Sequence, residues 1–153
     1  MVIRTLAPEI EASLLRRWEP LQRNQLHYLV TWGTRGRRPV LRERHARALD
    51  QSLRARCTER AIPLLEICAG HDHVHVLVSL HATRSVASVV RELKGSTAMS
   101  LLAAFPELRV WLHSNLLWDE RYSVEMVGPT RLDAVRARLR ALHHGHEELA
   151  ATG

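Results

Sequence analysis

The chain has 153 residues, the length of one ordinary domain, and is long enough to bury about two-thirds of the surface its unfolded form exposes. With 46% hydrophobic and 25% charged residues it has a folding, globular composition, which excludes intrinsic disorder. The formal charge is +6, and nearly all of the positive charge is arginine, with Lys94 the only lysine. That balance suggests a phosphate-bearing partner, since guanidinium presents a planar fork to phosphate, although GC-rich coding also enriches arginine.

Cys57 and Cys68 are the only cysteines and form no paired motif, so a zinc site or disulfide framework is not expected and a reducing, cytoplasmic setting is. The chain shows no apolar signal segment and no apolar run of membrane length, so no membrane partner is expected. Without repeats or linkers it reads as a single domain over 1–153, with an extra helical segment at 1–23 and a tail at 144–153.

In chain order, "PEIEASLLRRWEPLQ" (8–22) reads as a short amphipathic helix with Ile10, Leu14, Leu15 and Trp18 on one face. "QLHYLVTWGTR" (25–35) is aromatic and β-branched and ends at glycine, as a strand does. The turn "RGRRP" follows. Residues 41–61 place Leu41, Ala48, Leu49, Leu53 and Cys57 on one stripe, with Arg54, Arg56 and Arg60 on a solvated face, and Pro63 closes the helix. "LLEICAGH" and "HVHVLVSL" form a hairpin, with Gly70 and Asp72 supplying turn chemistry.

Residues 83–106 form a helix capped by Thr83, with Val86, Val89, Val90 and Leu93 at helical spacing. Gly95 interrupts it at about 1 kcal/mol relative to alanine, a position suited to close packing or ligand approach. "RYSVEMVG" (121–128) is a fourth strand. A last helix runs from about Thr130 to His143 with Leu132, Val135, Leu139 and Leu142 buried. The order after the first helix is β-α-β-β-α-β, which predicts an α+β ferredoxin-like sandwich: an antiparallel sheet of about four to five strands with helices on its faces. That fold hosts many functions, so the site must decide between them.

"GHDHVHVLVSL" (70–80) sets His71, His73 and His75 at every second position. In a strand they share one face, while Val74, Val76 and Val78 enter the core. Imidazoles roughly 7 Å apart along a strand can converge on one divalent ion. A solvated polar strand decorated with histidine is the plainer reading, and spacing alone leaves both open.

The text around the histidines carries a resemblance. Asp72, His73, Val74 and His75 resemble the signature strand of the HUH-type single-stranded-DNA tyrosine transposases, the insertion-sequence-200-like group, with His71 where proline is usual. "HYLVTWGTRGRRPVL" is similar to that family's opening strand and basic turn, "VVRELKGSTAMSLLAAFPEL" to its following helix, and "LLWDERYSVEMVG" to its last strand. Together these segments cover about residues 25–143. The resemblance implies a divalent metal ion, magnesium or manganese, held by His73 and His75 at the phosphate to be cleaved. It also implies attack on that phosphate by a tyrosine, single-stranded or hairpin DNA as partner, and a homodimer in which the last helix of one subunit completes the other's site.

This chain departs from the family pattern on the last helix. Aligned on Val127 and Gly128, the nucleophilic tyrosine position falls on Arg138 and the third metal ligand, a glutamine, on Leu142. The only tyrosines are Tyr28 and Tyr122, and Tyr122 is the substitute nucleophile to examine. A slip of one position brings His143, at the head of "HHGH", toward the metal, and His71 is a further candidate ligand; exposed tail histidines are the alternative. Arg35, Arg37, Arg38, Lys94 and Arg138 are the candidate DNA contacts, and Trp32 is either a base platform or core. The leading reading is a transposase of this type, binding hairpin DNA and a divalent metal for cleavage and strand transfer and degenerate if Arg138 truly stands at the tyrosine position. The alternatives are a catalytically inactive domesticated DNA-binding protein and a metal-dependent nuclease that uses water.

Overall fold

A computed structural model describes residues 25–152, with side chains described for 25–142. The expected helix at 8–22 lies outside the described residues. Four strands, β1 (Gln25–Thr34), β2 (Leu64–Ala69), β3 (His73–His81) and β4 (Trp118–Val127), make one sheet in the order β2-β3-β1-β4, every neighbouring pair antiparallel. The helices are α1 (Glu43–Glu59), α2 (Val86–Ala104), α3 (Glu107–Leu112) and α4 (Leu132–Thr152). This is the α+β ferredoxin-like arrangement expected from the element order.

The sheet separates two apolar layers. Val74, Val76, Val78 and Leu80 of β3, with Val30 and Trp32 of β1, meet Leu49, Leu53 and Cys57 of α1 and Val89, Val90, Leu93 and Leu101 of α2. On the other face Leu29, Cys68, Leu77 and Val127 receive Leu132, Val135 and Leu139 of α4. Burying a leucine such as Leu139 contributes about 1.5–3 kcal/mol. Arg136 and Arg140 then fasten α4 to Glu66 of β2 at 3.3 and 2.8 Å.

Several boundaries differ from the sequence expectation for local reasons. Ser85, not Thr83, caps α2, its hydroxyl accepting from the Ser88 N–H at 3.2 Å, while Thr83 turns back to His81. A separate short helix, α3, follows Pro106 and buries Leu108 and Leu112. Leu142 stands exposed instead of completing the α4 stripe. The backbone of α4 continues through the expected tail to Thr152. Gly95 faces open space with nothing within 4 Å of an added Cβ, so no packing demand accounts for it. Arg54 pairs with Asp50 and Arg56 with Glu59, as a solvated helix face does. Among the described residues no helix is long and apolar enough to cross a membrane.

Candidate metal centre and nucleic-acid interface

His75 lies directly opposite Thr31 of β1, and His73 lies opposite Gly33. Residues directly opposite in an antiparallel pair point to the same face, so the two imidazoles share the α4 face of the sheet. Their ring centroids are 4.9 Å apart and their planes 68° from parallel. Each ring is oriented through Nδ1: that of His73 sits 2.7 Å from Asp72 Oδ1, and that of His75 sits 2.7 Å from Thr31 Oγ1. Gly70 lies against the His73 ring, where a Cβ would fall 2.5 Å from Cε1.

This donor set fits two ligands of a divalent cation. A metal-binding histidine ordinarily engages a carboxylate or other oxygen through its second nitrogen, which fixes the tautomer and directs the opposite nitrogen at the ion. With Nδ1 of both rings facing an oxygen, an ion held by the pair would meet Nε2 of each. Asp72 is itself held by Arg37, whose Nη2 is 3.3 Å from Oδ2. Burial opposes ionisation of Asp72, yet the hydrogen bond from His73 and the Arg37 charge together keep its carboxyl below the usual range. A carboxylate held ionised is the form that orients an imidazole.

His71 does not join the pair. It precedes β3 in the turn, its Nδ1 is 2.8 Å from the Leu41 carbonyl, and its own carbonyl accepts from the Leu41 N–H at 2.9 Å. The alternation that aligns three histidines in an extended strand is broken there because β3 starts at His73. Among the described residues no group of three or more His, Cys, Asp or Glu side chains is set to hold a metal. The His143 side chain, like those of His144 and His146, lies outside the described residues.

Tyr122 lies opposite Trp32, and Tyr28 lies opposite Val78, so both tyrosines stand on the face of the sheet opposite to His73 and His75. The structure does not bring Tyr122, the expected substitute nucleophile, to the histidine pair: a strand's period of two sends it to the other face. Lys94, an expected DNA contact, likewise stands apart from the histidine pair. It projects from α2, on the far side of the sheet, and donates to the carbonyls of Asp119 and Glu120 and packs near the Tyr122 ring. Burial lowers its pKa, with Asp119 and Glu120 opposing. Trp32 is core, 1% exposed and edge-on to Trp118.

The candidate arginines are divided between the turn after β1 and α4. Arg35, Gly36 and Arg37 form a 3-10 turn after β1, in which Gly36 and Arg37 both have positive φ, 64° and 54°. Arg37 thereby reaches Asp72, while Arg38 directs its guanidinium to the Trp111 carbonyl at 3.5 Å. Arg35 is exposed. Arg138 is exposed on α4, seven residues and so nearly two turns beyond Arg131, which reaches Glu125 of β4 at 2.9 Å. That puts Arg138 on the flank away from Arg136 and Arg140.

Sequence reasoning missed three contributors. Thr31 is 44 positions from His75 and carries no motif. Gly70 was read only as a turn residue, though its glycine identity makes room for the His73 ring. His45 is wholly buried at the start of α1, accepting from the Arg42 N–H at Nδ1 (2.9 Å) and meeting Glu107 at Nε2 (3.1 Å). An Arg at N-cap with His three residues on gave no recognisable capping signal.

Sheet order and histidine strand together define a ferredoxin-like α+β protein with a pair of imidazoles at the start of a central strand. Residues 22–140 match the family of IS200-like transposases, and the chain belongs to that family. It is 26% identical over 119 residues to the ISDra2 transposase TnpA of Deinococcus radiodurans, covering 78% of this chain and 85% of that one. To the transposase for insertion sequence element IS200 of Salmonella typhimurium it is 28% identical over 101 residues, 66% of each chain. A transposase crystal structure from Deinococcus radiodurans superimposes with TM-score 0.63 at 27% identity, over 78% of this chain and 92% of that one. The REP-associated tyrosine transposase bound to a REP hairpin shares the fold, with TM-score 0.53 and 16% identity over 74% and 62%.

Proposed function

We propose that this family member binds hairpin-forming single-stranded DNA and a divalent cation, magnesium or manganese, and that it has lost the covalent strand-joining step. The observation that carries this reading is the position of both tyrosines on the sheet face opposite His73 and His75, with Arg138 at the family's nucleophile position. An arginine side chain donates hydrogen bonds and carries charge but offers no hydroxyl to attack phosphorus.

His73 and His75 hold the ion through Nε2. The bound ion supplies Lewis-acid polarisation of a phosphate oxygen. Arg35, Arg37, Arg38 and Arg138 meet phosphates, an interaction whose strength falls steeply with salt. A solved protein of this fold is bound to a hairpin, which supports the same class of partner here.

The homodimer is retained in this reading on a different surface from the one the sequence suggested. Leu132 and Val135 pack within their own chain against Leu29, Cys68, Leu77 and Val127. β4, ten residues long, is one of the two sheet edges among the described residues, and with Val124 41% and Met126 58% exposed it is the one that invites a second copy.

Incubation of the protein with manganese and labelled hairpin DNA, resolved on native and denaturing gels, tests the reading. Retained binding with neither adduct nor cleavage is expected. A covalent adduct would refute loss of the nucleophile. Cleavage without an adduct would favour the water-using nuclease, and absence of any DNA binding would overturn the whole proposal.

A further inference from the structure

We infer that a second DNA-contact surface, centred on Trp111, guides the single strand that flanks the hairpin; the inference rests on the DNA-binding reading above. Trp111 lies on α3 and is 37% exposed, beside Val110 at 68%. The guanidinium carbons of Arg42 and Arg44 lie 5.8 and 5.7 Å from its ring centroid, and Arg38 donates to its backbone carbonyl. The buried His45 ring braces the indole edge-on, at 5.7 Å and 88°. The indole is thus braced by the His45 ring and neighboured by two guanidinium groups.

The charges of this cluster are only partly met within the fold. Arg44 pairs with Glu107 at 3.0 Å. Arg42 donates to the Pro39 carbonyl at 3.2 Å and Arg38 to the Trp111 carbonyl, and among the described residues neither pairs with a carboxylate. An aromatic ring joined to guanidinium planes is what a splayed base stacks on, while adjacent arginines take its phosphates. Stacking tolerates every base, so the ligand class is single-stranded DNA of loose sequence preference.

The cluster is continuous with the histidine pair through two successive residues. Arg37 reaches Asp72, which holds His73, and Arg38 reaches the Trp111 carbonyl. Positive φ at Gly36 and Arg37 is what turns these neighbours in different directions. For a non-glycine residue that conformation costs on the order of 1 kcal/mol, so the turn is a constrained bridge between the two places. A strand whose phosphate lies at the histidines would cross the Arg35–Arg38 turn and reach Trp111.

The test compares the full chain's affinity for a hairpin alone and for the same hairpin with a single-stranded dT tail of about ten nucleotides, by fluorescence anisotropy. The variants are Trp111→Ala and, to guard against misfolding of the first, Arg42→Gln, with circular dichroism as the fold control. The wild type should bind the tailed hairpin more tightly. Trp111→Ala should remove about tenfold of that affinity and leave the bare hairpin unaffected, and Arg42→Gln should lower the salt slope for the tailed DNA by about one. A tail that adds nothing to wild-type affinity, or folded variants that retain the tail's contribution, overturns the inference while the DNA-binding reading stands. Equal losses on both DNAs overturn it as a track for the single strand. If the wild type binds neither DNA, the DNA-binding reading itself falls and the inference with it.

Discussion

Gly70→Ala should weaken divalent-ion binding without weakening the fold. An alanine Cβ would fall 2.5 Å from Cε1 of His73 and 3.0 Å from each ring nitrogen. Non-bonded carbons rest about 3.5–4.0 Å apart, so the ring must retreat by about 1 Å. The Nδ1 contact to Asp72, now 2.7 Å, would be stretched beyond hydrogen-bond range or re-aimed. Losing the outer partner of a metal-binding histidine weakens the ion by about 10–100-fold, or roughly 1.4–2.7 kcal/mol. Gly70 does not have positive φ, so alanine brings no backbone strain, and unfolding free energy measured without metal should change by less than about 1 kcal/mol. Calorimetric titration with manganese, beside thermal unfolding of the metal-free protein and His73→Ala as reference, measures both quantities. Unchanged manganese affinity in a folded Gly70→Ala protein would refute the argument that this glycine seats the ligand.

Thr31→Val preserves shape but removes the hydroxyl at His75 Nδ1, and should lower manganese affinity about tenfold, whereas Thr31→Ser should keep it; the same titration decides. Lys94→Met should cost about 1–2 kcal/mol in urea unfolding, because the ammonium satisfies the Asp119 and Glu120 carbonyls, and should leave the salt slope of DNA binding unchanged. His45 is held neutral chiefly by burial, which lowers its pKa despite the opposing Glu107, and its Nδ1 accepts the Arg42 N–H and so has no place for a second proton. The unfolded chain takes up a proton near pH 6.5 that the folded chain resists. Its contribution is therefore full above about pH 6.5 and declines as pH falls below it. Urea midpoints at about pH 7.5 and about pH 5.5 should differ more in the wild type than in His45→Gln.

The amphipathic periods of α1 and α2, the valine alternation of β3 and the glycine-bounded β1 were all legible because a period of 3.6 or 2 is written locally. The β-α-β-β-α-β order then left few antiparallel arrangements of four strands, which made the fold readable. The short α3 was not, since six residues after Pro106 are too few to show a period. The row of three histidines was read too generously, because spacing of two implies a shared face only while the backbone stays extended, and it turns at His71. The expectation that Arg138 stands at the family's tyrosine position came from residue identity alone and needed no folding.

Tyr122 could be excluded only in three dimensions. Nothing local relates its side to that of His75: the relation passes through β1, where Thr31 faces His75 on one side and Ser123 on the other, leaving Tyr122 turned away. Long-range strand register likewise brought Thr31 to His75, and helix packing carried Lys94 to the far side of the sheet. The sequence by itself thus determined the elements, their order and the histidine pair, since each is a matter of residue identity or short-range period. The tertiary structure alone decided which side chains share a face, because that depends on register between strands far apart in the chain.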